Sequence, residues 1–100
     1  MKINVKTEGN KKWIELDGRL DTTAAPEFGS FIEKEISADV KELEIDMANC
    51  GYVASSGLRV ILQAQKIMNR TGGKMVVKNV NEVVMEVFEM TGFSSILTIE

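Results

Sequence analysis

The residues with the clearest chemical potential are two adjacent serines in the run Tyr52-Val53-Ala54-Ser55-Ser56-Gly57-Leu58-Arg59-Val60. They stand where a helix begins. Leu58, Ile61, Leu62 and Met68 share one helical face from there to Arg70, and Arg59, Gln63, Lys66 and Arg70 share the opposite one. A helix start leaves backbone N–H groups unpaired and carries a partial positive charge. Ser55 is placed to cap that start with its hydroxyl. Ser56 follows in the first turn beside Gly57, which leaves the backbone open to another protein. A phosphate on Ser56 brings about −1.5 to −2 charges near pH 7. An exposed helix end favours an anion by ~0.3–1 kcal/mol per charge. Modification there therefore changes docking and spares the fold. The plainer reading is that the pair only caps, since serine is a general N-cap residue.

Other chemistry is missing. The chain has no histidine, which removes the commonest general base, the usual Ser-His-Asp arrangement and most zinc sites. Its single cysteine, Cys50, makes no internal disulfide and reads as structural. No glycine-rich phosphate loop is present. Glu33/Glu35, Glu42/Glu44/Asp46 and Glu82/Glu86/Glu89 have the spacing of solvated faces. Asn69-Arg70-Thr71 matches a glycosylation acceptor by chance, at a helix end in a chain without a secretory signal. The expectation is a protein that is not an enzyme and holds no cofactor or metal.

The elements that must position the serines are legible from periodicity. With 100 residues, 44% apolar and 27% charged, the chain is one soluble domain spanning 1–100. Residues 2–8 alternate, with Ile3, Val5 and Thr7 on one face. Gly9-Asn10 turns them into a second strand over 12–17, with Ile14 and Leu16 inward. Thr22 and Thr23 are candidate caps for a helix that opens near Pro26, carries Phe28, Phe31, Ile32 and Ile36, and ends about Ser37. Residues 42–47 form a strand bounded by Asn49-Cys50-Gly51. After the serine helix and Gly72-Gly73, residues 74–80 form a buried strand. Residues 81–91 form a helix with Val83, Val84, Val87, Phe88 and Met90 on one side, and 96–99 form a short last strand. The order β-β-α-β-α-β-α-β predicts an α/β domain with a mixed sheet and helices over at least one face.

Nearly the whole chain resembles the STAS family of anti-sigma factor antagonists. The run from Tyr52 to Leu58 is similar to the family's Asp-Ser-Ser-Gly-Leu-type signature. Gly18-Arg19-Leu20-Asp21 and Ala25-Pro26-Glu27-Phe28 resemble its Gly-x-Leu-Asp stretch and first helix, and Val83 to Phe93 resembles its last helix with a Thr-Gly-apolar end. The resemblance implies a bacterial partner-switching protein in transcription regulation. The unphosphorylated domain binds an anti-sigma factor that is also a serine kinase and so frees a sigma factor. The kinase phosphorylates the second signature serine, here Ser56, and a PP2C-type phosphatase resets it. Asp21, Ser55, Ser56, Gly57, Leu58 and Arg59 are then the partner-binding residues, and ATP belongs to the kinase. Ala54 stands where the family commonly has an acidic residue, and Ala24 where it often has threonine. The first departure keeps a second reading open: a non-switching STAS module in a lipid-transport complex or a signalling scaffold.

The remaining features narrow the setting. A net charge of −3 argues against nucleic acid as the partner. No apolar run approaches the roughly 18–20 residues that span a membrane. The strand-like start is not a signal peptide, and a lone cysteine suits a reducing cytoplasm. Val60, Ala64 and Ile67 form a second apolar stripe on the serine helix, readable as a docking face or as the edge of a wide buried arc. Trp13 faces away from Ile14 and Leu16, and the six methionines read as core filler.

Overall fold

The computed structural model describes residues 1–100. β1 (Lys2–Glu8) and β2 (Lys11–Leu20) form the expected antiparallel hairpin, with Ile3 opposite Leu16 and Val5 opposite Ile14. Gly9 makes the turn at φ 60°, a left-handed conformation that glycine adopts without strain. β1 lies at the sheet edge, so only Ile3 is half-buried and Val5 is exposed. α1 (Ala25–Glu35) crosses to β3 (Glu42–Val53), which pairs parallel with β2. α2 (Ser55–Arg70) crosses to β4 (Lys74–Lys78), parallel to β3. α3 (Glu82–Met90) follows, and the strand order is β1-β2-β3-β4.

β3 is longer than its sequence pattern suggests. The Asn49-Cys50-Gly51 stretch does not end it but passes through two register irregularities, opposite Glu15/Asp17 and Gly18/Arg19. Such bulges bend a strand without ending its pairing. The Asp46 carboxylate fastens the first of them, accepting from the Ala48 N–H at 2.9 Å and the Asn79 amide at 3.0 Å. The last strand, in contrast, shrinks to one bridge between Ile99 and Val77. After Gly92, at φ 80°, a 3₁₀ turn occupies Phe93–Ser95, and both Ile96 and Leu97 donate N–H bonds back to the Phe93 carbonyl. Too little extended chain remains for a full strand. The Val77 N–H and carbonyl still pair with Thr98 and Glu100, each at 2.9 Å, so part of the β4 edge is covered.

The helices share one face of the sheet, and the core lies between. Ile14, Leu16 and Leu20 of β2, Leu43, Ile45 and Met47 of β3, and Val77 of β4 meet Phe28, Ile32, Ile61, Met68, Val84 and Phe88 there. Val60 and Ala64 belong to this core, which settles the second α2 stripe as buried arc. On α3 only Val84 and Phe88 are fully inside; Val83 and Met90, expected inward, are exposed. The open sheet face carries charges in cross-strand rows, such as Glu8, Lys11, Glu42 and Lys74. Trp13 lies there under the ammonium groups of Lys6 and Lys11, at 5.3 and 4.6 Å from its ring centre.

Cys50 is a buried strand residue, not a turn residue. Burial pushes its thiol pKa up, opposed in part by hydrogen bonds with the backbone of Tyr52 and Leu20. The folded state then holds its proton to higher pH than the unfolded chain. Stability from this group is full below the unfolded thiol pKa of ~8.5 and falls as pH rises through the folded value. Alkylation of Cys50 in the native protein at pH 8 is expected to be far slower than in urea-unfolded chain, and equal rates would contradict the buried placement.

Candidate functional site

The carboxyl ends of β2 and β3 come together where α1 and α2 begin. The Ala54 N–H donates to the Leu20 carbonyl at 2.9 Å, joining the α2 start to the end of β2. Asp21, the next residue, turns the chain into α1. Its carboxylate accepts from the N–H groups of Thr23 at 3.1 Å and Ala24 at 2.9 Å. Asp21 therefore takes the turn-forming role expected of Thr22 or Thr23, and Ala24 occupies the cap position without a side-chain bond. A shallow depression of about 400 Å³ beside it is lined by Arg19, Asp21, Thr23 and Glu27, among others. Arg19 stacks on the Tyr52 ring at 4.3 Å, a link between β2 and β3 that nothing in the sequence pattern signals.

The serines sit one step later in the helix than expected. Ala54, extended at φ −85° and ψ 167°, is the N-cap, so Ser55 is not a cap but the first helical residue. Helical spacing of four puts Ser55 on the side of exposed Arg59, and Ser56 on the side of buried Val60. Ser55 is accordingly exposed. Ser56 is half-buried, and its Oγ is shielded from solvent with no hydrogen-bond partner. This corrects the expectation of an exposed Ser56 hydroxyl. Ser56 lies four residues before buried Val60, at the shoulder of the buried arc, whichever residue caps the helix.

The other sequence candidates divide in the same way. Gly57 is buried against its own chain and is not open to a partner. A Cβ there would lie 2.5 Å from Leu20 Cγ and 2.9 Å from the Leu20 carbonyl oxygen. Only a glycine lets α2 approach β2 this closely, and that contact holds the serine-bearing start of α2 against Leu20, the residue before Asp21. Leu58 is a core residue and offers no surface for docking. Arg59 is exposed and takes part in no ion pair. The missed participant is Leu20, whose carbonyl and side chain hold the α2 start; Gly57, two residues into a serine-rich helix start, was the available signal.

The electrostatics favour an anion. The N–H groups of Ser55, Ser56 and Gly57 have no acceptor, and the first turn contains no acidic residue. The Ser56 hydroxyl has no bond to lose on rotating outward, because in its inward rotamer it is unsatisfied. A buried orphan hydroxyl costs about 1–3 kcal/mol. Replacing Ser56 by alanine is therefore expected to leave stability unchanged or raise it by up to ~1 kcal/mol in urea unfolding. A loss of that size would instead show the hydroxyl acting as a cap.

The STAS domain family model matches residues 2–100, and the chain belongs to that family. The anti-sigma-B factor antagonist of Bacillus subtilis is 27% identical over 101 residues, covering 99% of this chain and 92% of its own length. An anti-sigma factor antagonist from Mycobacterium paratuberculosis shares the fold at a TM-score of 0.86 and 16% identity, over 98% of this chain and 83% of that one. The anti-sigma factor antagonist SpoIIAA in its unphosphorylated form matches at 0.79 and 18% identity, over 99% and 87%. The Bacillus cell-fate determinant SpoIIAA in its phosphorylated form matches at 0.78 and 18%, over 99% and 91%. No helix of this chain is long and apolar enough to cross a membrane.

Proposed function

We propose that this domain is an anti-sigma factor antagonist that docks on an anti-sigma factor with serine-kinase activity and is released when that kinase phosphorylates Ser56. The observation that carries the reading is the unpartnered Ser56 hydroxyl at a helix start whose first N–H groups are open and whose first turn holds no acidic residue. The inward rotamer has to turn out for phosphoryl transfer, and no hydrogen bond holds it in. Once attached, the dianion lies over the helix N-terminus, which the free domain tolerates. An apolar or anionic partner surface does not tolerate it, because burying an uncompensated charge is costly. The same addition thus spares the fold and weakens the complex.

Asp21, Ser55 and Arg59 supply the polar docking contacts, and Gly57 and Leu58 hold them in register from beneath. ATP enters with the kinase, and a PP2C-type phosphatase restores the hydroxyl. Calorimetric titration against the cognate anti-sigma factor checks this. Ser56→Ala is expected to bind as the native chain does, and Ser56→Asp to bind at least about tenfold more weakly, by an amount that understates phosphoserine because aspartate carries less charge. One observation favours the second reading, a STAS module that does not switch: Ala54 puts a methyl group where a carboxylate could orient the Ser56 hydroxyl. Equal affinity of Ser56→Asp and native chain would select that reading.

A further inference from the structure

Charge on the two later helices is sorted by sign. α2 carries Arg59, Lys66 and Arg70 and no carboxylate, while α3 carries Glu82, Glu86 and Glu89 and no cation. All six side chains belong to exposed residues, and none makes an ion pair within the chain. On a molecule of net charge −3, the charged side chains of the α2 face are all cations, bordered at Gln63 by the Glu33 carboxylate of α1, which accepts from the Gln63 amide at 3.3 Å.

The spacings match. Read backward from Arg70, the α2 row runs Arg70, Lys66, Gln63 and Arg59, which are steps of four, three and four residues. Read forward, the α3 row runs Glu82, Glu86 and Glu89, which are steps of four and three. At 3.6 residues per turn each row stays within one narrow arc of its helix. Laid antiparallel, Glu82 meets Arg70, Glu86 meets Lys66, and Glu89 falls beside Gln63, one turn from Arg59. The α2 row lines a shallow depression of about 330 Å³, with Leu62 at its side. Next to the α3 row, Val83 and Met90 form an apolar band that is 61% and 80% exposed. Nothing in the monomer covers it.

We propose that the cationic α2 row of one copy docks antiparallel on the acidic α3 row of a second copy of this chain. Both helices lie in the single helical layer over the sheet, so a twofold dimer engages the contact twice, and like-sign rows repel the alternative pairings. The pairing is salt-sensitive, because exposed charges are screened within about 10 Å at 0.1 M ionic strength. It shares Arg59 with the proposed docking surface, but it uses no kinase and neither serine, so it stands or falls apart from the Ser56 reading.

Sedimentation velocity of the native chain over a range of concentrations tests this. Association is expected at low ionic strength and dissolution near ~0.5 M salt, where the Debye length has shrunk to a few ångströms. The double variant Lys66→Glu/Arg70→Glu and the double variant Glu86→Lys/Glu89→Lys should each associate at least about tenfold more weakly than the native chain. Their equimolar mixture should associate again, since each restores the other's complement. A native chain that stays monomeric at low salt, variants that associate undiminished, or a mixture that stays apart would overturn the proposal.

Discussion

Gly57→Ala is expected to lower unfolding stability by about 1–3 kcal/mol, although alanine is the better helix former. Helix propensity alone predicts a gain of up to ~1 kcal/mol for this exchange. The added methyl, however, would stand 2.5 Å from Leu20 Cγ, 2.9 Å from Leu20 Cδ2 and 2.9 Å from the Leu20 carbonyl oxygen. The leucine side chain is fully buried and has nowhere to go. Nor can the carbonyl swing aside, because it accepts the Ala54 N–H that anchors the helix. Overpacking at a site that cannot yield typically costs 1–3 kcal/mol. The urea midpoint should fall with the m-value unchanged. Docking should weaken as well, since relief of the overlap shifts the serine-bearing start of α2 away from Leu20 and the turn that follows it. A variant as stable as the native chain would mean that the α2 start does not approach β2 as described.

Phe88→Ala is expected to cost about 3–5 kcal/mol, the usual range for deleting a buried aromatic ring. That is a large share of the ~5–15 kcal/mol that holds a small domain folded. The effect should be concentrated on α3. This helix is nine residues long and fully buries only Val84 and Phe88, with Met85 and Val87 half-buried beside them, so Phe88 is the largest part of its attachment. Its cap, the Asn81 side chain accepting the Val84 N–H at 2.8 Å, organises the first turn but does not hold the helix to the sheet. Hydrogen exchange should therefore show α3 amides losing protection before those of β2 and β3. A cost below 1 kcal/mol, or uniform loss of protection, would contradict this division.

These two positions show what could be read in advance. Alternation placed β1, and the end of α2 at Arg70 followed from its opposed apolar and polar stripes ending at a glycine pair. The same rule failed on α3. Val83 and Met90 are apolar and correctly spaced, yet a short helix on one sheet buries only a narrow strip, and they fall beside it. β3 was cut short because Asn49-Cys50-Gly51 looks like a turn, whereas parallel pairing with β2 carries the strand through it with two bulges. The last strand was overextended because alternation cannot foresee a 3₁₀ turn closing on the Phe93 carbonyl.

At the site, the location was legible and the orientation was not. A Ser-Ser-Gly run opening an amphipathic stretch marks a helix start. Sequence preference caps it with Ser55 where the chain uses Ala54. The spacing of four residues to exposed Arg59 and buried Val60, not the cap, leaves Ser55 outward and Ser56 turned in. Gly57 was recognised as special, but for the wrong partner: its missing side chain makes room for Leu20, not for another protein.

The shielded hydroxyl makes the choice between the two serines the sharpest question. Incubation of the native domain with its cognate anti-sigma kinase and ATP, followed by fragment-resolved mass spectrometry, answers it directly. One phosphate is predicted, on Ser56, with the exposed Ser55 left bare. Phosphate accumulating on Ser55 instead would contradict the assignment and place the switch on the outward side of the helix.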